Sequence, residues 1–350
     1  MSKAEETDIL IIGAGPVGLF TVFEAGLLGL KCKLVDHLHK IGGQCAELYP
    51  DKPIYDIPGV PSQSADELIE ALLEQIKPFE HEIFLNQRVE SLEKIASSKE
   101  ISKWKAITSE GKEFLATNVF VAAGGGSFEP RKPPNINDPD KFLNKGIAYS
   151  VKDKNFYKDK DLLIFGGGDS ALDWTVELAD IAKSIKLVHR RDEFRGAPNT
   201  ESQVRELVET GKVELKTPYV IEDLIGLDKI SGAKVKNFKT KEIEDIVCDE
   251  ILFLFGLSKK LGPIANWKLD LDGKKIAVDT EKFESSVKGI FAVGDINDYP
   301  GKLDLILCGF HETTLAVQHA YQRCFPGQKV PFGYTTSNTK LHKKLGITED

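Results

Sequence analysis

The chain has 350 residues, 41% hydrophobic and 29% charged, with a formal net charge of −8. That length allows two domains of ordinary size, and that balance excludes a disordered chain. The acidic surplus excludes a general nucleic-acid binder, while leaving room for a local basic patch.

No apolar run is long enough to span a membrane, and the opening residues MSKAEETD lack the apolar stretch of a secretory signal. The cysteines, Cys32, Cys45, Cys248, Cys308 and Cys324, are odd in number and scattered, with no C-x-x-C pair. This pattern argues against a disulfide framework or a metal site and suits a reducing, cytoplasmic setting.

The first element is a buried strand, Ile9 to Ile12, running into Gly13-Ala14-Gly15-Pro16-Val17-Gly18. This G-x-G-x-x-G sits between a strand and a helix, as dinucleotide-binding turns do. Gly13 permits the tight turn, Gly15 lets a pyrophosphate reach the backbone, and Gly18 lets helix and strand pack closely. The helix start, opened by Pro16, would hold the pyrophosphate. A second strand, Cys32 to Val35, ends in Asp36, where an acid would bind a ribose hydroxyl.

Gly42-Gly43-Gln44 then reads as a tight passage beside a ligand, and Tyr49 as a ring able to stack on a flat cofactor. Pro53, Pro58, Gly59 and Pro61 mark a loop. Ser64 with Glu67 forms a capping box for a helix carrying Leu68, Ile69, Leu72, Leu73 and Ile76 on one face. From Ile83 to Ile107 short strand-like runs alternate with charged turns. A buried strand, Asn118 to Ala123, follows, and then a proline-rich linker, Glu129 to Pro134.

A second unit repeats the pattern. The strand Leu162 to Phe165 runs into Gly166-Gly167-Gly168-Asp169-Ser170-Ala171, a G-x-G-x-x-A turn. A helix with Trp174, Val176, Leu178 and Ile181 follows, then the strand Ile185 to Val188. Where the first unit has Asp36, this one has His189-Arg190-Arg191, with Arg195 shortly after. Arginines there would bind a 2′-phosphate that an acid would repel. The first unit is therefore expected to hold FAD and the second NADPH. Hydride transfer between them is the simplest chemistry and needs no acid–base side chain, so no catalytic residue is named.

The run Glu250 to Gly256 closes the second unit. Near the end, the strand Gly289 to Val293 leads to Gly294-Asp295, whose carboxylate could accept from a ribityl hydroxyl. A helix from about Phe310 to Tyr321 and a polar tail from Phe332 follow.

Together these motifs resemble the pyridine-nucleotide-dependent flavoprotein disulfide reductases, and the low-molecular-weight thioredoxin reductases in particular. The resemblance implies an α/β fold of two Rossmann-like domains. The NADPH domain, 126–256, would be inserted into a discontinuous FAD domain, 1–125 and 257–350. One departure matters. The redox C-x-x-C that precedes the second turn in thioredoxin reductases is missing, and Tyr149 and Lys152 fall on its cysteine positions.

The chain resembles the branch that has this scaffold and lacks that dithiol, the thioredoxin-reductase-like ferredoxin–NADP reductases of bacteria. Gly42 to Pro50, Ile54-Tyr55-Asp56, Tyr149 to Asp153, Gly166 to Trp174, His189 to Asp192, Gly294 to Ile296 and Gly301-Lys302 carry the likeness. It implies FAD contacts at Asp36, Gly43, Gln44, Tyr49, Val89, Phe128, Asp295 and Thr336, with Tyr334 on a tail that covers the flavin. It also implies ferredoxin or flavodoxin as partner, a homodimer, and electron flow in either direction. An acidic partner could meet a basic patch at Lys302, Lys340, Lys343 and Lys344. The rival expectations are a disulfide reductase of the thioredoxin type and a flavin-binding redox sensor with little turnover.

Overall fold

The computed structural model describes residues 4–95, 102–331 and 333–344, without the side chains of 127–129, 257–259 and 340. The chain forms two compact units, Met1–Ser127 with Lys259–Asp350, and Phe128–Ser258.

The first unit is built on the strand Glu5–Ile12, buried on both faces along Ile9 to Ile12. Ile9 and Ile11 face one core with the helices Pro16–Leu27, Ala65–Ile76 and Ile306–Cys324. Leu10 and Ile12 face a second core with Trp104, Phe114 and Ile276. A continuous apolar run is what a parallel strand covered on both sides requires.

The sheet order is His81–Phe84, Cys32–Val35, Glu5–Ile12, Glu113–Val121, Lys103–Thr108, Val89–Ile95. The strand Glu113–Val121 forks. Its first half pairs antiparallel with Lys103–Thr108, and its second half pairs parallel with Ile290–Ala292. The parallel part is thus completed by a strand from far along the chain. Ser64 caps the helix Ala65–Ile76 with the reciprocal Glu67 bonds expected of a capping box.

The second unit has a five-stranded parallel sheet in the order Ile147–Ala148, Glu250–Phe253, Asp161–Phe165, Ser184–Val188, Val213–Lys216. Alternation again splits the core. Leu163 and Phe165 pack with Phe253, Val235 and Ile246 beside a three-stranded antiparallel sheet, Tyr219–Gly226, Ile230–Asn237 and Ile243–Val247. Leu162 and Ile164 pack with Ala171, Leu172 and Val204 of the helices Asp169–Leu178 and Pro198–Glu209.

Candidate functional site

In the first turn the glycines divide into two kinds. Gly13 has φ +113°, and a Cβ there would lie 2.3 Å from the Ala122 carbonyl oxygen; one on Gly18 would lie 2.0 Å from the Gly13 oxygen. These two are demanded by the protein's own packing. Gly15 is different. Its Cβ would meet nothing closer than Gly43 Cα at 3.9 Å, so this glycine leaves open space at the start of the Pro16–Leu27 helix.

The backbone N–H groups of that first turn have no partner within the helix, and the helix dipole favours an anion there. Gly43, with φ +58°, passes close against Gly15, and Gly42 N–H donates to the Ala14 oxygen at 2.9 Å. Asp36 is buried and locked to the same turn. Its carboxylate accepts from Ala14 N–H at 2.7 Å and Leu38 N–H at 2.9 Å. Burial pushes its pKa up, and the bonds from His37, Leu38 and Ala14 outweigh this, holding the carboxyl below its ordinary value.

Gln44 opens a short helix, Gln44–Leu48, with its side-chain amide near Gly124. Tyr49 follows, half-buried, and the Cys45 thiol lies 3.8 Å from its hydroxyl. Burial raises both the Cys45 thiol, to about 11, and the Tyr49 phenol, and the negative charge of Asp295 adds to both shifts. Asp295 thus lies within electrostatic reach of Cys45 and Tyr49. Val89 is buried at the start of its strand.

Tyr334 is 71% exposed, and Thr336 is exposed beside it on the turn Thr335–Ser337. The following helix, Thr339–Lys344, is anchored by buried Leu341, and Lys344 Nζ sits 5.5 Å from the centre of the Phe79 ring. The side chains of Phe128 and Lys340 lie outside the described residues.

Sequence reading missed the residue that holds the Gly294–Lys302 loop. Glu312, fully buried, accepts from Gly294 N–H at 2.6 Å, Asn297 Nδ2 at 2.8 Å, Tyr299 hydroxyl at 2.9 Å and Lys302 Nζ at 2.5 Å. The Lys302 side chain is 3% exposed and also donates to the Gly294 oxygen. Lys302 is therefore no part of a surface docking patch, because its charge is spent inside the fold on Glu312. The signal was in the helix periodicity. Glu312 lies on the Gly309, Thr313, Ala316, Val317, Ala320 stripe, the face that must be buried.

The second turn repeats the first in backbone. A Cβ on Gly166 would meet Ala171 Cβ and the Leu254 oxygen at 2.5 Å, and one on Gly167 would strike the His189 ring at 2.3 Å. A Cβ on Gly168 would meet nothing within 4 Å. Gly168 precedes the Asp169–Leu178 helix, with Asp169 and Ser170 exposed at its start.

The loop after the second strand is tied to this turn. Arg195 N–H donates to the Gly167 oxygen at 2.7 Å, and Ala197 N–H donates to Asp169 Oδ1 at 2.8 Å. His189 stacks on Phe194, with ring centroids 5.5 Å apart, and its Nε2 is buried without a partner. Burial, then the charges of Arg190, Arg191 and Arg195, lower its pKa, although a bond to the Glu193 backbone opposes this. Arg190, Arg191 and Arg195 are exposed. The neighbouring Asp192 is engaged by Lys239 at 2.7 Å, so three cations stand without a counter-ion among the described residues.

At the positions where a dithiol would lie, Tyr149 donates to Asp140 Oδ1 at 2.8 Å and Lys152 is exposed. All five cysteines are free thiols. Among the described residues no cluster of His, Cys, Asp and Glu could hold a metal, and no helix is long and apolar enough to cross a membrane.

The profile of the pyridine nucleotide-disulphide oxidoreductase family matches residues 7–322. Curated relatives from Nitrobacter hamburgensis and Mesorhizobium japonicum, both named ferredoxin–NADP reductase, are 52% identical. The first match covers 99% of this chain and 100% of the relative, the second 99% of each. Among solved structures, Lactococcus lactis thioredoxin reductase has a TM-score of 0.75 at 24% identity, covering 91% of this chain and 98% of that one. Thioredoxin reductase from T. acidophilum has a TM-score of 0.76 at 19% identity, covering 91% and 99%. These two show the fold alone. By the family profile and by relatives matched end to end, the chain belongs to the pyridine nucleotide-disulphide oxidoreductases, among the ferredoxin–NADP reductases.

Proposed function

We propose that the chain moves electrons between NADPH and ferredoxin or flavodoxin, with FAD in the unit Met1–Ser127 plus Lys259–Asp350 and NADP(H) in Phe128–Ser258. FAD, when bound, links a two-electron hydride donor to a one-electron carrier. The observation that carries the reading is the pairing of two like turns with unlike charge. Each leaves open space at a glycine before a helix start, Gly15 and Gly168, where a Cβ would fill a pyrophosphate cradle.

In the first unit Gly15, Pro16 and Gly43 form that cradle, with Gly13 and Gly18 shaping the turn behind it and buried Asp36 at its edge to accept from a ribose hydroxyl. Gln44, Tyr49, Val89 and Asp295 line the path of the remaining cofactor, and Tyr334 and Thr336 close it. In the second unit Gly168, Asp169 and Ser170 face the pyrophosphate, on a turn that Gly166 shapes from behind. Arg190, Arg191 and Arg195 take the 2′-phosphate through charge-assisted bonds, with His189 packed behind them against Gly167 and Phe194. A like charge from Asp192 is held off by Lys239. No residue of this chain need give or take a proton for the hydride step, so the protein's work is to bind and orient. We assign the protein a homodimeric state on its resemblance to relatives of this type.

The test is anaerobic mixing of the purified protein with NADPH, then ferredoxin, with cytochrome c as final acceptor. A parallel run replaces ferredoxin with thioredoxin and a disulfide dye. Ferredoxin-dependent cytochrome reduction with no thioredoxin-dependent dye reduction is expected. Dye reduction through thioredoxin would overturn the reading. Flavin bleaching with no ferredoxin-dependent turnover would discard the partner while keeping the cofactors.

A further inference from the structure

We propose that Glu312 and Lys302 act as a positioning pair for Asp295, fixing the carboxylate that the proposed FAD contacts require; the inference rests on that cofactor reading. Gly294 is the hub. Its N–H is bound by Glu312 and its C=O by Lys302, so both main-chain groups of the residue before Asp295 are held by one ion pair. Gly294 has φ +78°, a conformation that favours glycine. A Cβ on it would sit 3.2 Å from the Val17 side chain, and one on Gly309 would sit 2.4 Å from the same side chain. The pair therefore presses the Asp295 turn against the residue between Pro16 and Gly18, in the first turn itself.

The other two donors extend the hold along the chain. Asn297 and Tyr299 give their side-chain hydrogens to the same carboxylate, and Asn297 also donates to the Ala292 oxygen at 2.9 Å. Four donors from residues 294–302 thus converge on one carboxylate. A buried Glu so saturated, and neutralised by a buried Lys, contributes no net charge. Asp295 is left as the acid whose field reaches Cys45 and Tyr49. Removing one partner leaves an uncompensated buried charge beside Asp295, whereas removing both charges does not.

The experiment uses the full-length holoprotein and its E312Q, K302M and E312Q/K302M variants. Release of FAD on dilution is followed by the fluorescence of the freed flavin, and the bound-flavin visible spectrum is recorded. Each single variant is expected to release FAD about tenfold faster, since a broken buried pair costs more than the loss of the pair. The double variant should return to within about threefold of the parent, because the amide oxygen that replaces the carboxylate still accepts from Gly294 and Asn297. NADP+ affinity, read on the other unit, should stay within about twofold in all four.

Parental release rates and spectra in both single variants would overturn the proposal. So would a double variant faster than either single, which would make the pair ordinary core packing. If E312Q does not fold, Y299F, which deletes one donor and no charge, takes its place beside K302M, and unchanged release from both overturns the proposal. A parent protein whose released flavin is not FAD would instead sink the cofactor reading.

Discussion

The two glycine turns place the same backbone before opposite charges. In the first, Asp36 closes over the turn, buried, taking hydrogen bonds from Ala14 and Leu38. In the second, the equivalent strand end carries Arg190 and Arg191, exposed, on a loop that the turn itself holds through Arg195 and Ala197. The acid is part of the scaffold, whereas the arginines face solvent. A buried carboxylate suits a neutral sugar hydroxyl of a cofactor that stays. Uncompensated surface arginines suit a doubly charged phosphate on a ligand that comes and goes.

The glycines make a second contrast, within each turn, and substitutions can separate the two kinds. The largest effect is expected for Gly18→Ala, whose methyl would fall 2.0 Å from a backbone oxygen. Thermal or denaturant unfolding should show a loss of about 3 kcal/mol or more. Gly15→Ala and Gly168→Ala should instead leave stability within about 1 kcal/mol. They should still weaken FAD and NADPH binding respectively, each by roughly tenfold, because their methyls enter space the protein itself leaves open. Equal stability losses in Gly15→Ala and Gly18→Ala would erase the distinction between scaffold and cradle.

Asp36 offers an effect that depends on pH. Its folded pKa is lowered, so the stability it contributes is full above its ordinary value, 3.8, and is lost as pH falls through the lowered one. Asp36→Asn should cost about 1–3 kcal/mol near neutral pH, where Ala14 and Leu38 lose an ionised acceptor. Melting curves of parent and variant should converge below pH 3.8. A gap that stays constant with pH would mean that the charge of Asp36 is not what holds the turn.

Local chemistry made much of this legible in the sequence. The capping box at Ser64 and the two strand–glycine–helix units are short-range patterns, and each forms where its residues dictate. The helix expected from about Phe310 runs Ile306–Cys324, and no side chain caps its start at Leu305. The sequence carries no N-cap signal there from which to read the boundary. The pairing of Ile290–Ala292 with Glu113–Val121 joins residues some 170 apart, and no local pattern encodes it.

Lys302 and Glu312 show the same limit. Lys302 reads as a surface charge, the helix stripe marks only that Glu312 is buried, and the fold alone shows that they neutralise each other inside. The basic tail loses Lys302 as a docking residue, while Lys343 and Lys344 remain exposed. The absent dithiol was legible for the opposite reason, since C-x-x-C is wholly local.

The most direct test of the division between the two turns is equilibrium binding of NADP+ and NAD+ to the parent and to the Arg190→Ala, Arg191→Ala double variant. Loss of two charge-assisted contacts should weaken NADP+ by about a hundredfold. NAD+ binding should change little, and FAD should be retained in full. An unchanged preference for NADP+ in the double variant would contradict the account, placing the 2′-phosphate somewhere other than the end of the second strand.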